Sequence, residues 1–234
     1  MIIFGHQGAP GYAPENTLKS FEEAIRRGAD WLELDVHKVA GELLVIHDYR
    51  LDRTTDGTGI IYHQSVDYIR SLDAGQGVKI PFLSEVFDLV ARRKGINIEL
   101  KSAATAPAVM DLINHYITHQ HWSPEQFMIS SFNHFELKTV RELNPAIQIG
   151  VLMYGVPLDF DRIMDEIQPH SINISIEFIT PDIVNFIHTK NLRVYVYTVN
   201  FEDDVEWMLD LDVDGVFTDY PDRVRNVISN YSKK

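Results

Sequence analysis

Residues 2–11 read Ile2-Ile3-Phe4-Gly5-His6-Gln7-Gly8-Ala9-Pro10-Gly11, a short apolar run that stops at a histidine and passes into a glycine-rich turn. Such a start belongs to parallel α/β sheets, and two architectures share it. In a doubly wound open sheet the turn takes the form G-x-G-x-x-G, which lets bare backbone amides cradle a pyrophosphate. Glycines at 5, 8 and 11 miss that spacing, and Pro10 has no amide proton to offer. The turn points instead to a closed (β/α)8 barrel.

The rest of the chain keeps the same rhythm. Strands are predicted at Ile2–His6, Trp31–His37, Leu43–Ile46, Ile96–Lys101, Phe127–Ser131, Ile147–Met153, Ser171–Ile174, Leu192–Thr198 and Val213–Thr218. Most are continuous Val-, Ile- and Leu-rich runs, as expected of parallel strands buried on both faces. Helical patterns fall between them at Thr17–Arg27, Leu83–Arg93, Ala106–His119, His134–Leu143, Phe160–Ile167, Pro181–Thr189, Glu202–Asp210 and Asp222–Asn230. Asn16 or Thr17 can cap the first, with Gly28 after its last turn. Ser84, with Glu85 and Asp88, marks the start of the second and Gly95 follows its end; Pro124 and Pro145 stop neighbours. About eight strand–helix units in a chain of this length give a TIM barrel.

One interval breaks the rhythm. Between His47 and Pro81 there is no strong strand and no long helix. This predicts a short insertion after the second strand, at approximately 49–80, on one rim of the barrel. No Pro/Ser-rich linker separates it, so residues 1–234 are expected to form one domain.

Composition narrows the partners. Lys and Arg number 21 against 34 Asp and Glu, a net charge of −13, which argues against binding nucleic acid or an anionic membrane. The chain has no cysteine, and therefore no disulfide, thiolate zinc site or thiol nucleophile. No apolar run approaches the ~20 residues of a membrane span. The opening residues lack the basic start and the long apolar stretch of a signal peptide. A soluble, cytoplasmic protein is expected.

Parallel barrels place their active sites where the strands end. The first strand ends at His6, the second carries Glu33-Leu34-Asp35, the next run leads into His47-Asp48, and the Ile96–Lys101 strand ends in Glu99-Leu100-Lys101. Alternate residues of a strand share a face, so Glu33 pairs with Asp35 and Glu99 with Lys101. If both faces look into the barrel mouth, three carboxylates, two imidazoles and an ammonium converge. Carboxylates packed so closely repel unless a cation sits among them, and oxygen donors of this kind suit a hard divalent ion, Mg²⁺ or Ca²⁺. A single Glu-x-Asp pair is ordinarily an edge or an ion pair. Polar pairs ending two buried strands, with histidine ending a third, indicate a site.

These residues sit in longer motifs: His6-Gln7-Gly8, Pro14-Glu15-Asn16-Thr17, Gly28-Ala29-Asp30, Glu33-Leu34-Asp35-Val36, His47-Asp48, Leu51-Asp52-Arg53-Thr54-Thr55, Ile80-Pro81-Phe82-Leu83, Ile98-Glu99-Leu100-Lys101 and Asp214-Gly215-Val216-Phe217-Thr218-Asp219-Tyr220-Pro221. In that order the chain resembles the glycerophosphodiester phosphodiesterases. The resemblance implies a barrel with a short insertion and a phosphoric diester hydrolase, which releases sn-glycerol 3-phosphate and an alcohol. It further implies metal ligands at Glu33, Asp35 and Glu99, an acid/base pair at His6 and His47, and a phosphate contact at Lys101. The partner expected is a small-molecule glycerophosphodiester, with no nucleic acid and no stable membrane association; the oligomeric state is not legible.

Two positions depart from the family pattern. Gln7 stands where the pattern has arginine, and can give the phosphate a hydrogen bond but no charge. Tyr197 stands where the pattern has tryptophan, keeping an aromatic wall with a polar tip. With Phe132 it is expected to line the glycerol pocket. Glu15 is expected to support the first helix. Arg53 pairs with Asp52 or Asp56, or else meets phosphate. His115 and His119, four apart, are expected on a solvated helix face. Two routes stay open: attack by the glycerol 2-hydroxyl through a cyclic phosphate, or direct attack by water. Two other functions share these residues: a phospholipase C- or D-like action on lipid head groups, and a non-catalytic barrel that binds phosphoesters.

Overall fold

The computed structural model describes residues 1–231. Among the described residues there are nine strands: β1 (Ile2–Gly5), β2 (Trp31–Val39), β3 (Glu42–Val45), β4 (Gly95–Leu100), β5 (Phe127–Ser131), β6 (Gln148–Met153), β7 (Ser171–Ser175), β8 (Arg193–Tyr197) and β9 (Gly215–Thr218). All but β3 pair in parallel, and β1 pairs with both β2 and β9, so eight strands close into a barrel. The helices are α1 (Leu18–Arg26), α2 (Val66–Ser71), α3 (Leu83–Val90), α4 (Ala106–Gln120), α5 (His134–Leu143), α6 (Phe160–Ile167), α7 (Pro181–Thr189), α8 (Glu202–Asp210) and α9 (Pro221–Asn230). The expected (β/α)8 TIM barrel is the fold found. Among the described residues no helix is long and apolar enough to cross a membrane.

β3 differs from its neighbours. It is antiparallel to the end of β2, with Val36 opposite Val45 and Val39 opposite Glu42. Ala40 and Gly41 make the turn at φ 50° and 94°, the double left-handed geometry that a two-residue hairpin uses. The 43–46 run is thus a strand, but it extends β2 past the rim and carries the chain into the insertion. There α2 is capped by Ser65, whose side chain accepts from the Tyr68 amide at 3.2 Å. Val39, Leu44, Ile46, Leu51, Ile61, Ile69, Leu72 and Ile80 form a small core of its own.

Capping follows the sequence with one change. Thr17 caps α1, accepting from the Ser20 amide, and Gly28 follows at φ 87°. At α3 the cap position is Phe82 rather than Ser84, and Glu85 reaches back to accept the Phe82 amide at 2.7 Å. Ala91 and Arg92 both lie at positive φ, which ends α3 before Arg93.

Strand alternation separates two environments. On β2, Leu32, Leu34 and Val36 pack outward in the large core under the helices, which leaves Glu33 and Asp35 for the barrel interior. Below them the barrel is filled by Phe4, Met128, Tyr195 and Phe217, with Trp31 against them; Phe4 stacks on Phe217 with centroids 4.6 Å apart. Glycines make room for these large side chains. A Cβ at Gly95 would fall 2.4 Å from the Trp31 indole, and one at Gly215 would fall 2.9 Å from Tyr195. This apolar plug is the floor of the site.

Candidate active site

Register assembles the carboxylates. Asp35 lies directly opposite Glu99 across β2 and β4, and Glu33 is two residues back on the same face of β2. Carboxylate oxygens of Glu33, Asp35 and Glu99 lie within 4.8 Å of one another. Gln7 and Asn16, both at positive φ in the loop after β1, hold two of them. The Gln7 amide donates to Glu33 Oε2 at 2.8 Å, and its Nε2 donates to Asp35 Oδ2 at 2.8 Å. Asn16 Nδ2 donates to the same Asp35 oxygen, and Asn16 Oδ1 accepts from the Asp35 amide at 3.1 Å. Lys101 Nζ donates to Glu99 Oε1 at 2.6 Å and stands 3.4 Å from Asp35 Oδ1.

The charges do not balance. Burial and the charge of Asp35 push the Glu33 carboxyl up to about 8. Burial and Asp35 likewise raise Glu99. Burial alone would raise Asp35, but the charges of Lys101 and His47 and the Asn16 hydrogen bond hold it below the ordinary carboxylate range. Burial would lower Lys101, and the charges of Asp35 and Glu99 raise it instead. One lysine among three carboxylates, Glu33 and Asp35 buried and Glu99 partly so, leaves an excess of negative charge on oxygen donors alone. That donor set fits a hard divalent cation.

Each histidine is held by its own carboxylate. His6 Nδ1 is 2.8 Å from Asp219 Oδ1, and Asp219 is fixed in turn by Asn200, whose Nδ2 donates to Oδ2 at 2.7 Å. Burial pulls the His6 imidazole down, but the Asp219 hydrogen bond and the charges of Glu33, Asp219 and Asp35 outweigh it and lift His6 to about 9. His47 Nδ1 is 2.6 Å from Asp48 Oδ1. Arg53 donates to Asp48 Oδ2 at 2.6 Å and makes a two-pronged pair with Glu15 at 2.7 and 2.8 Å. The Arg53 hydrogen bond holds the Asp48 carboxyl down at about 2. With Nδ1 so engaged, each ring leaves Nε2 outside these bonds. Arg53 therefore spans Glu15 and Asp48, not Asp52 or Asp56; Asp52 pairs with Arg50.

A cavity of about 250 Å³ opens between the two histidines, bordered by Glu33, Glu99 and Lys101 and walled by Phe132, Leu152, Tyr197 and Phe217. Phe132 and Tyr197 meet edge to face at 6.0 Å, and the Tyr197 hydroxyl donates to the Met153 carbonyl at 2.8 Å. Of the residues singled out in the sequence, His6, His47, Glu33, Glu99, Lys101, Phe132 and Tyr197 border this cavity, and Asp35 lies behind them against Lys101 and Gln7. Gln7 is not in its wall: the amide expected at the phosphate is turned to Asp35 instead. His115 and His119 are neighbours on α4 at 4.8 Å, away from the site.

The profile of the glycerophosphoryl diester phosphodiesterase family matches residues 6–223, a span that takes in every residue of this cavity. The chain belongs to that family. Two relatives named glycerophosphodiester phosphodiesterase are similar over most of their length. One, from Bacillus altitudinis, is 36% identical over 94% of this chain and 95% of its own. The other, from Bacillus subtilis, is 32% identical over 99% of this chain and 87% of its own. A phosphodiesterase from Oleispira antarctica, solved with the product sn-glycerol-3-phosphate, superposes with a TM-score of 0.89 at 29% identity, covering 98% of this chain and 97% of that one. The chain is a phosphoric diester hydrolase with glycerophosphodiester phosphodiesterase activity.

Within this glycerophosphodiester phosphodiesterase, sequence reasoning missed the residues that orient the others. Asp219, Asn200 and His37 are not singled out, and Asn16 is read only as a candidate helix cap. His37 is buried; its Nε2 is 3.0 Å from the His47 carbonyl and its Nδ1 is 2.6 Å from the Tyr62 hydroxyl, which ties β2 to the insertion behind His47. Asn16 and Asp219 lie inside motif runs and were legible as members of them. Nothing local marks His37 or Asn200.

Proposed function

We propose that the chain hydrolyses glycerophosphodiesters to sn-glycerol 3-phosphate and an alcohol, using a divalent cation held by Glu33, Asp35 and Glu99 and proton transfer by His6 and His47. One observation carries this reading: a carboxylate triad and two histidines, each bonded to its own aspartate, border one cavity. The product bound by the Oleispira antarctica relative supports the same substrate class. We take residues 1–234 as a single domain whose insertion supplies the bracing of His47. The substrate is read as a water-soluble diester met in the cytoplasm.

In this reading the side chains divide the work. The cation, Mg²⁺ or Ca²⁺, supplies Lewis-acid stabilisation of the phosphoryl oxygens. Lys101 adds a fixed positive charge beside them, and its pairing with Glu99 and Asp35 keeps it protonated. One imidazole takes the proton of the attacking oxygen, of water or of the glycerol 2-hydroxyl, through Nε2 while the other gives a proton to the departing alkoxide; on the second route water then opens the cyclic phosphate, with the two imidazoles exchanging roles. Asp219 and Asp48 hold the two rings in the tautomer this needs. Phe132, Tyr197 and Phe217 give the glycerol carbons an apolar wall. Gln7 serves the reaction through Asp35 and Glu33, not through the phosphate.

The test is release of glycerol 3-phosphate from glycerophosphocholine, with EDTA and with Mg²⁺ or Ca²⁺ restored. Turnover that EDTA stops and the ion restores supports the reading. Ligand binding without turnover in either ion supports a non-catalytic barrel. A lipid head-group activity has one observation of its own: Phe132, which borders the cavity, is exposed together with Phe135 in the first turn of α5 and with Tyr154, Val156 and Leu158 in the loop after β6. An acyl chain on the glycerol arm would lie across that collar. Faster cleavage of lysophospholipid vesicles than of soluble diesters favours this second reading.

A further inference from the structure

The groove beneath the insertion is a second concavity, of about 400 Å³, and it shares His47 and Lys101 with the catalytic cavity. We propose that it is the subsite for the departing head group, and that it selects a head group rich in hydroxyls and free of positive charge. This rests on the function proposed above and adds to it the class of alcohol released.

Two concavities that meet at Lys101 and His47 give the two ester arms of one phosphodiester a place each. The smaller is closed off by Phe132, Leu152 and Phe217, and suits the three-carbon arm common to all these substrates. It also holds a buried acceptor, Asn97 Oδ1, with no protein partner among the described residues, which a glycerol hydroxyl can satisfy. The larger and more open groove is left for the arm that varies.

The walls of that groove come from the insertion. Tyr49 is 57% exposed and its hydroxyl has no protein partner among the described residues; Tyr62 is 44% exposed and bonds His37. Arg50 lines the groove with its guanidinium 3.2 Å from Asp52. Tyrosine faces cover the C–H surface of a polyol while phenol and guanidinium groups bind its hydroxyls. A quaternary ammonium would instead meet Arg50 and Lys101. The carboxylate nearest to hand, Asp48, is already engaged by His47 and Arg53. The groove therefore favours glycerol and inositol head groups over choline.

The experiment compares kcat/KM for sn-glycero-3-phosphoinositol, sn-glycero-3-phosphoglycerol, sn-glycero-3-phosphocholine and the methyl diester of sn-glycerol 3-phosphate. The polyol diesters are expected to exceed the choline diester about tenfold, and the double variant Tyr49→Ala, Arg50→Ala to cut their advantage over the methyl diester by about the same factor, through KM. Both positions are exposed, and an unchanged melting temperature of the variant confirms that it folds. Choline preferred over the polyols, or a polyol-to-methyl ratio that the double variant leaves alone, overturns the subsite while hydrolysis itself stands. Failure of every diester to yield glycerol 3-phosphate overturns the proposed function, and the subsite with it.

Discussion

Gln7 Nε2 donates to Asp35 Oδ2 at 2.8 Å, so the residue that follows the first histidine serves a carboxylate and not the cavity. Neighbours that fix a metal-ligating side chain are commonly worth about 10–100-fold in affinity. Gln7→Ala is expected to weaken Mg²⁺ or Ca²⁺ binding by about that factor, read by calorimetry at fixed pH. Gln7→Arg keeps a donor facing Asp35 and is expected to bind the ion better than Gln7→Ala does. Equal affinity in all three proteins would remove Gln7 from the carboxylate cluster.

The same carboxylates set a pH dependence. Glu33 is raised from 4.5 to about 8 and His6 from 6.5 to about 9 in the folded chain, so both groups bind protons more tightly folded than unfolded. Their stabilising contribution is complete below the unfolded pKa of each and is lost as pH rises through the folded one. The metal-free protein is therefore expected to melt at progressively lower temperature from about pH 5 to about pH 9. Saturating Mg²⁺ or Ca²⁺ should flatten that slope, and should lower the His6 pKa seen by NMR, because the cation offsets the charge that raises it. A metal-free melting temperature that climbs over this range would contradict the assignment.

His47 and Asp48 are a second hydrogen-bonded pair of the site. His47→Ala is expected to lower kcat by about 100-fold or more, the usual contribution of a positioned acid or base. Asp48→Asn keeps the shape but loses the charge that orients the ring, and should lower kcat with little change in KM. Arg53→Ala should cost less than Asp48→Asn, since Asp48 then still reaches His47. A loss carried entirely by KM in Asp48→Asn would show that Asp48 binds substrate instead of orienting His47.

Much of this was legible in the sequence because strand periodicity is rigid. Once β2 and β4 are strands, Glu33, Asp35, Glu99 and Lys101 must share the interior face, and the parallel register then sets Asp35 opposite Glu99. The exits of strands are not rigid in that way. Gln7 could be seen at the right loop, but the direction of its amide depends on a left-handed backbone at φ 49° that the local sequence does not announce. The Leu43–Ile46 run was readable as a strand; its antiparallel pairing required knowing that Ala40-Gly41 closes a hairpin. Long-range partners such as Asn200 for Asp219, and Glu15 for Arg53, come from folding distant segments together, and no spacing rule reports them.

The barrel floor gives a prediction about packing. Gly95 lies against the Trp31 indole, and a Cβ there would approach it to 2.4 Å. Gly95→Ala is expected to destabilise the fold by about 1–3 kcal/mol through overpacking, measured by urea denaturation. The double variant Gly95→Ala, Trp31→Phe should recover part of that loss, and no recovery would mean the clash lies elsewhere.

The most direct test of the account is a crystal structure of the chain with a divalent ion and sn-glycerol 3-phosphate. The account predicts one ion bound by oxygens of Glu33, Asp35 and Glu99, with the phosphate beside Lys101 and between His6 and His47. An ion held by other residues, or a phosphate bound outside the cavity shared by the two histidines, would contradict it.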